Sequence, residues 1–111
     1  MRNEYRLPEH RFQELKHFCL QYPTWQQLYH ELIFMWGLQK DSDPTATIGR
    51  RLADYARNMT LVEKAAEDTS FQYQQEILEY VTTGRRSNID PLIFKDLYMK
   101  FFYRLNTLKG I

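Results

Sequence analysis

An all-α bundle is the fold class this sequence predicts, and three observations predict it. Apolar residues recur at spacings of three and four along most of the chain. Prolines and glycines fall at the borders of those periodic stretches, and no stretch alternates as a strand would. A length of 111 residues fits one domain, large enough to bury roughly 65% of its unfolded surface without staples. The expectation is a single helical domain over residues 1–111, a compact bundle of about five helices around a long central one at about 44–68.

Residues 1–6 read as a loose, polar leader. The first helix begins near Pro8 and runs to about Tyr22, with Phe12, Leu15, Cys19 and Tyr22 on its buried stripe and Phe18 at the flank. Pro23 ends it, because proline excludes the helical conformation for the residue before it, and the same proline opens the second helix. That helix carries Trp25, Leu28, Tyr29, Leu32, Met35 and Trp36 on its apolar side, with Gly37 as an end signal. Its run Leu32–Trp36 is apolar nearly all the way round, the pattern of a buried helix, so this element is expected to be the most buried of all.

The central helix is announced by Asp43-Pro44, a capping carboxylate followed by proline at the first helical position. Ile48, Leu52, Tyr55, Met59, Val62 and Ala66 draw one apolar stripe, and Arg50, Arg51, Asp54, Arg57 and Glu63 occupy the other face. Arg50 and Asp54 are spaced for an i,i+4 pair, while Gly49 costs about 1 kcal/mol against alanine. Thr69 with Gln72 has the form of a capping box, which places the start of a fourth helix near Thr69. Phe71, Gln74, Ile77, Leu78 and Val81 carry it to Gly84. Asp90-Pro91 then repeats the cap-and-proline signal, and the last helix presents Phe94, Leu97, Tyr98, Phe101, Leu105 and Leu108 on one face before Gly110 closes it.

A single cysteine, Cys19, rules out an intramolecular disulfide and fits a reducing compartment. No apolar run reaches the ~18–20 residues of a membrane span, and the start of the chain lacks the apolar middle of a signal peptide. A cytoplasmic location is therefore expected. The net charge of +1 is unevenly spread: residues 1–83 hold nine basic and twelve acidic side chains, and residues 84–111 hold six and two. Positive charge gathers at the C-terminal end. Aromatic content of 15% points to a core of large rings or to aromatic surface kept for a partner.

Catalytic and metal chemistry find little footing. His10, Glu14 and His17 share a helix face in principle suited to a metal, but exposed residues of an amphipathic helix are the simpler reading, and neither metal nor cofactor is expected. His30-Glu31 lacks the second histidine of a zinc-protease helix. Cys19 lies within an apolar stripe and reads as a small hydrophobe. The four glycines are isolated, so no phosphate-cradling loop forms, and nothing assembles a nucleophile, base and orienting group. No catalytic residue is assigned.

Two features rise above this background. One is the basic end, Arg85, Arg86, Lys95, Lys100, Arg104 and Lys109, with Ser87 and Asn88 in the turn before the last helix. Cations beside short polar side chains near a helix N-terminus suit phosphate contact and base-edge reading. The other is the run Lys100–Arg104, KFFYR. At about 100° per residue its three rings span about 200° of the helix, which means either burial on two sides or a partner surface formed by Met99, Phe102 and Tyr103.

The stretches SDPTA (42–46), LVEKAAEDTSFQYQQEILEYVTTG (61–84) and KFFYRLNTLKG (100–110) resemble small helix-turn-helix proteins encoded by phages and mobile elements of Gram-positive bacteria. Those are similar to late-gene transcriptional regulators and to the last region of sigma factors. The likeness covers roughly half of the chain, with a helix-turn-helix-like part at 69–111 and none in the first forty residues. It implies a non-enzymatic DNA-binding regulator whose C-terminal helix enters the major groove. On that reading Arg85, Arg86, Lys100 and Arg104 neutralise phosphates, and Ser87, Asn88 and Lys95 face base edges. Between Gly84 and the KFF motif only RRSNIDPLIFKDLYM stands where the family has two helices. The alternative is a small helical inhibitor that binds a host protein, a nucleic-acid enzyme for example, and a homodimer is compatible with either. The DNA reading requires the cations to form one outward ledge, free of carboxylates from the rest of the fold.

Overall fold

In a computed structural model that describes residues 5–38, 45–86 and 88–110, the chain forms five helices and, among those residues, no strand. They are α1 (Glu9–Leu20), α2 (Tyr22–Leu38), α3 (Thr45–Thr69), α4 (Gln74–Thr83) and α5 (Pro91–Leu108). The all-α bundle around a long central helix is what forms. Only Gln21 separates α1 from α2. Its N–H donates to the Phe18 carbonyl at 3.2 Å, its carbonyl accepts from Trp25 at 2.9 Å, and Pro23 sits in the first turn of α2, where a missing N–H leaves no gap. The Asp43-Pro44 cap lies outside the described residues.

The core gathers where α1, the start of α2, the second half of α3, α4 and α5 meet. Leu15, Cys19, Val62, Ala65, Ala66, Ile77, Phe101 and Leu105 are essentially sealed, with Tyr22, Trp25, Val81, Leu97 and Phe102 around them. Ala65 and Ala66 are what let other helices approach α3 closely. Each large side chain buried here contributes about 1.5–3 kcal/mol. Rings knit the layer together edge to face: Phe12 on Phe102 at 5.0 Å, Phe101 on Phe102 at 5.0 Å and Phe18 on Trp25 at 4.8 Å.

Beyond Trp25 in α2 and before Tyr55 in α3, no described residue belongs to that core. The outer parts of α2 and α3 form a two-helix arm. Its antiparallel register is read at both ends: the Tyr22 hydroxyl donates to the Glu63 carboxylate, and Gly49 lies opposite the Trp36 ring. Ile48 and Leu52 are buried on the stripe that faces α2. The arm gives the molecule its 57 × 30 × 21 Å extents and a radius of gyration of 16.4 Å, against about 13 Å for a rounded domain of this length.

Several local expectations change. Helix α2 is not the most buried element: Ile33, Phe34, Met35 and Trp36 are all exposed, because a helix apolar on every side has, in the arm, one neighbour only. Asp54 pairs with Arg57 rather than Arg50. Thr69 does not cap a new helix. It closes α3, its hydroxyl donating back to the Ala65 carbonyl at 2.7 Å, while Ser70 accepts from the Tyr73 N–H at 3.1 Å within the turn and α4 begins after Tyr73 without a side-chain cap. Helix α4 consequently starts at Gln74, and Phe71 is left in the turn, pointing to solvent. Gly84 and Gly110 end their helices with φ of 78° and 77°, the left-handed geometry that glycine alone adopts freely.

Candidate functional site

The turn between α4 and α5 is built to hold its shape. Gly84 donates to the Tyr80 carbonyl at 2.8 Å, and the Arg85 N–H donates to the Thr83 hydroxyl at 3.2 Å. At the far side Asp90 accepts from the Leu92 N–H at 2.9 Å, with Pro91 at the first helical position, as the sequence anticipates. Tyr80, Phe94 and Tyr98 stack behind the turn, Tyr80 on Phe94 at 4.7 Å and on Tyr98 at 5.7 Å. A small hollow of about 210 Å³ opens between Tyr80, Arg86, Ile89, Pro91 and Phe94.

On this base stand Arg86, Asn88 and Lys95, all exposed, with no ion pair to Arg86 or Lys95 among the described residues. In the same stretch, the first turn of α5 exposes Leu92 (81%) and Ile93 (46%). Neither is singled out in the sequence, yet the signal for one is there: Leu92 falls opposite the stripe Phe94–Leu97–Phe101 that α5 turns inward, and Ile93, about 100° away, lies at the margin of that stripe. Ser87 lies outside the described residues.

The remaining cations do not join this surface as one ledge. Arg85 pairs with Glu79 at 2.9 Å, and Lys100 is 3.9 Å from Asp96. Arg104 donates to Asp68 at 2.8 Å, and Lys64 joins the same carboxylate at 3.1 Å. The hydrogen bond from Arg104, then Lys64, holds the Asp68 carboxyl below its ordinary range. Asp68 lies near the C-terminal end of α3, where exposed carbonyls favour positive charge, and Arg104 ties that end to α5 while Lys64 braces Asp68 from within α3. Lys109 lies over the Phe18 ring, 3.5 Å from its centroid, and burial, with Arg11 nearby, lowers its pKa. Lys95 sits about 140° around α5 from Lys100.

The aromatic run resolves into three different fates. Phe102, expected on a partner surface, is 2% exposed and belongs to the core, because α5 is wedged between neighbours and buries Phe101 and Phe102 on adjoining faces. Met99 is half-buried and lines a cleft of about 430 Å³ with Tyr5, Leu7, Phe12 and Tyr98. Tyr103 does point outward, though the Tyr5 ring rests on its edge at 5.5 Å and Lys100 lies 5.7 Å from the same Tyr5 ring. The leader segment is therefore docked on α5 from Tyr5 onward.

Side chains with chemical potential are otherwise occupied. Cys19 is sealed in the core, and burial pushes its thiol up to about 12, the behaviour of a packing residue. Glu14 is held by Arg11 at 2.8 Å. No group of three His, Cys, Asp or Glu close enough to hold a metal occurs among the described residues, and none of their helices is long and apolar enough to cross a membrane. Fold and surface together define an all-α bundle with a projecting helical arm and a mixed apolar and cationic patch at the start of α5. No protein-family model, curated protein or solved structure matches the chain, so the helix-turn-helix likeness rests on the residues quoted for it.

Proposed function

We propose that this chain is a small non-enzymatic binding protein that recognises another protein through the α4–α5 turn and the first turns of α5. One observation carries the reading: Leu92 and Ile93 stand exposed in the first turn of α5, in the same short stretch of chain as the exposed Arg86, Asn88 and Lys95. A phosphate backbone has no use for two exposed aliphatic side chains beside its cationic contacts, whereas protein interfaces combine apolar groups with a polar rim. The adjoining hollow of about 210 Å³ has the size to take one apolar anchor side chain. The cations around it favour a partner segment that is acidic as well as apolar. Such a module agrees with a phage- or mobile-element-encoded protein that occupies a host protein.

Duplex-DNA binding is the second reading. The exposed Arg86, Asn88 and Lys95 near a helix N-terminus favour it. Against it stand the internal pairing of Arg85, Lys100 and Arg104 and a seven-residue connection from Gly84 to Asp90, longer than the 3–4 residues of a helix-turn-helix. The two are separated by capture from bacterial lysate with and without nuclease, using wild type and Leu92→Asp. The protein reading expects a partner that survives nuclease and is lost with Leu92→Asp. Binding to duplex DNA at low salt that weakens in the Arg85→Ala, Arg86→Ala double variant, with a salt slope of about one per phosphate contact, would overturn it.

A further inference from the structure

We infer that the cleft between the leader segment and α5 is a binding site for a small amphipathic carboxylic acid, of the class of the medium-chain alkyl carboxylates. The cleft encloses about 430 Å³, within the range of about 300–1,000 Å³ that small-molecule sites occupy. Helix α5 forms one wall through Tyr98, Met99 and Phe102, and Leu7 and Phe12 from the start of the chain form the other.

The three rings at its base hold one another in place. Phe12 meets Phe102 at 5.0 Å and Tyr98 at 5.8 Å, and Tyr98 meets Phe102 at 5.0 Å, all edge to face. Phe102, at 2% exposure, roots them in the core. Met99, half-buried on the α5 wall, is an unbranched thioether that adapts to an irregular apolar guest. The leader wall is fixed at both ends. Tyr5 rests on Tyr103 at 5.5 Å with Lys100 at 5.7 Å from its ring, and Pro8 leads into α1.

Charge selects the polar end of the occupant. Arg6 and Lys95, one from each wall, are exposed at the cleft and make no ion pair among the described residues. Glu9, the carboxylate that shares the cleft, already accepts from Gln13 at 2.9 Å. Two cations against one acid leave net positive charge beside an apolar interior. An apolar chain with an anionic head answers both features. An alkylamine would set its ammonium against Arg6 and Lys95, and an alcohol would bring them no counter-ion. Apart from Lys95 the cleft shares no residue with the α4–α5 surface, and the inference does not rest on that reading.

The test is a titration of the full chain, carbon-13 labelled at its methionine methyls, with decanoate below its micelle concentration. Met99 reports the cleft, and Met35, exposed on the arm, reports unspecific uptake by apolar surface. Decanoate is expected to shift the Met99 signal along a saturable curve and to leave Met35 in place. Octanoate, two methylenes shorter, should bind roughly tenfold more weakly, and decanol and decylamine more weakly than decanoate. In the Arg6→Glu, Lys95→Glu double variant decanoate affinity should fall at least tenfold, and decylamine should bind in its place. Both side chains are exposed, so the fold should survive, and unchanged helical circular dichroism checks that. A Met99 signal that does not move, a Met35 shift that tracks it, equal affinity for decanoate, decanol and decylamine, or a double variant that binds decanoate like wild type each overturns the proposal. No partner protein enters this titration, so its failure leaves the α4–α5 contact standing, and loss of that contact leaves the cleft assignment standing.

Discussion

The two ends of α3 have nearly the same amphipathic pattern and opposite surroundings. Toward its C-terminus, Val62, Ala65 and Ala66 are sealed because α4, α5 and the start of α2 converge on them. Toward its N-terminus the same periodicity gives Ile48 and Leu52, buried against α2 alone. Periodicity states which face of a helix turns inward. How much stands behind that face depends on small residues, ring packing and connection lengths elsewhere in the chain. At the bundle end several helices supply apolar neighbours to α3, whereas at the arm α2 alone does.

The sharpest way to break this comparison is to remove a ring at each end. Phe101→Ala empties a fully buried site and should cost about 3–5 kcal/mol, measured by urea denaturation at micromolar protein. Phe34→Ala, under the same dilute conditions, should stay within about 0.5 kcal/mol. If the two losses are similar, the arm is part of the cooperative core and the division of the molecule is wrong.

The glycines give a second pair. Gly84 holds φ at 78°, so Gly84→Ala should cost about 1–2 kcal/mol from backbone strain alone. Gly49 is mid-helix in the arm, and an added Cβ would meet only the Trp36 ring at 4.0 Å, an ordinary contact. Gly49→Ala should therefore raise stability by up to about 1 kcal/mol. Opposite signs in thermal denaturation are expected. A destabilising Gly49→Ala would mean that Trp36 sits closer to α3 than this packing allows. Asp90→Ala removes the cap of α5 and should cost about 1 kcal/mol, with the first turn of α5 losing amide-exchange protection first.

What was legible in the sequence follows the same division. Caps and terminators are local, and Asp90-Pro91, Gly84 and Gly110 can be read off directly. The stripes of α1, α3 and α5 also hold, because each has one dominant apolar face. Where two local signals compete, the sequence is ambiguous. Thr69 reads as the cap of a new helix, yet its hydroxyl is equally able to donate back to the preceding turn, and in the fold it does so to Ala65 and ends α3. The run in α2 misleads because apolar content announces burial without saying in what. In the candidate site, the basic residues were visible but their partners were not: Glu79 and Asp68 meet Arg85 and Arg104 only after folding. Leu92 and Ile93 carry a weaker signal, because apolar residues at the start of an apolar helix read as core until the neighbours that would cover them are known.

Asp68 gives the smallest expected effect and bears most directly on whether the cations at the bundle end are structural. Its carboxyl is held below the ordinary value of 3.8 by Arg104 and then Lys64. A depressed folded-state pKa means that the unfolded chain binds the proton first. The stabilisation is complete above about pH 4 and is lost as pH falls through the lower folded value. Wild type should therefore exceed Asp68→Asn in urea midpoint by a constant small margin from pH 5 to pH 8, a margin that closes as acid protonates Asp68. Because the pair is partly exposed, the margin should also shrink in 1 M salt, where the screening length is about 3 Å. The same variant frees Arg104 and Lys64 of their shared counter-ion. If duplex DNA binding appears only in Asp68→Asn, the fold's own carboxylate is what withholds those cations from phosphate. A margin that ignores both pH and salt would show that Arg104 does not depend on Asp68, and the basic end would regain its claim to a polyanion.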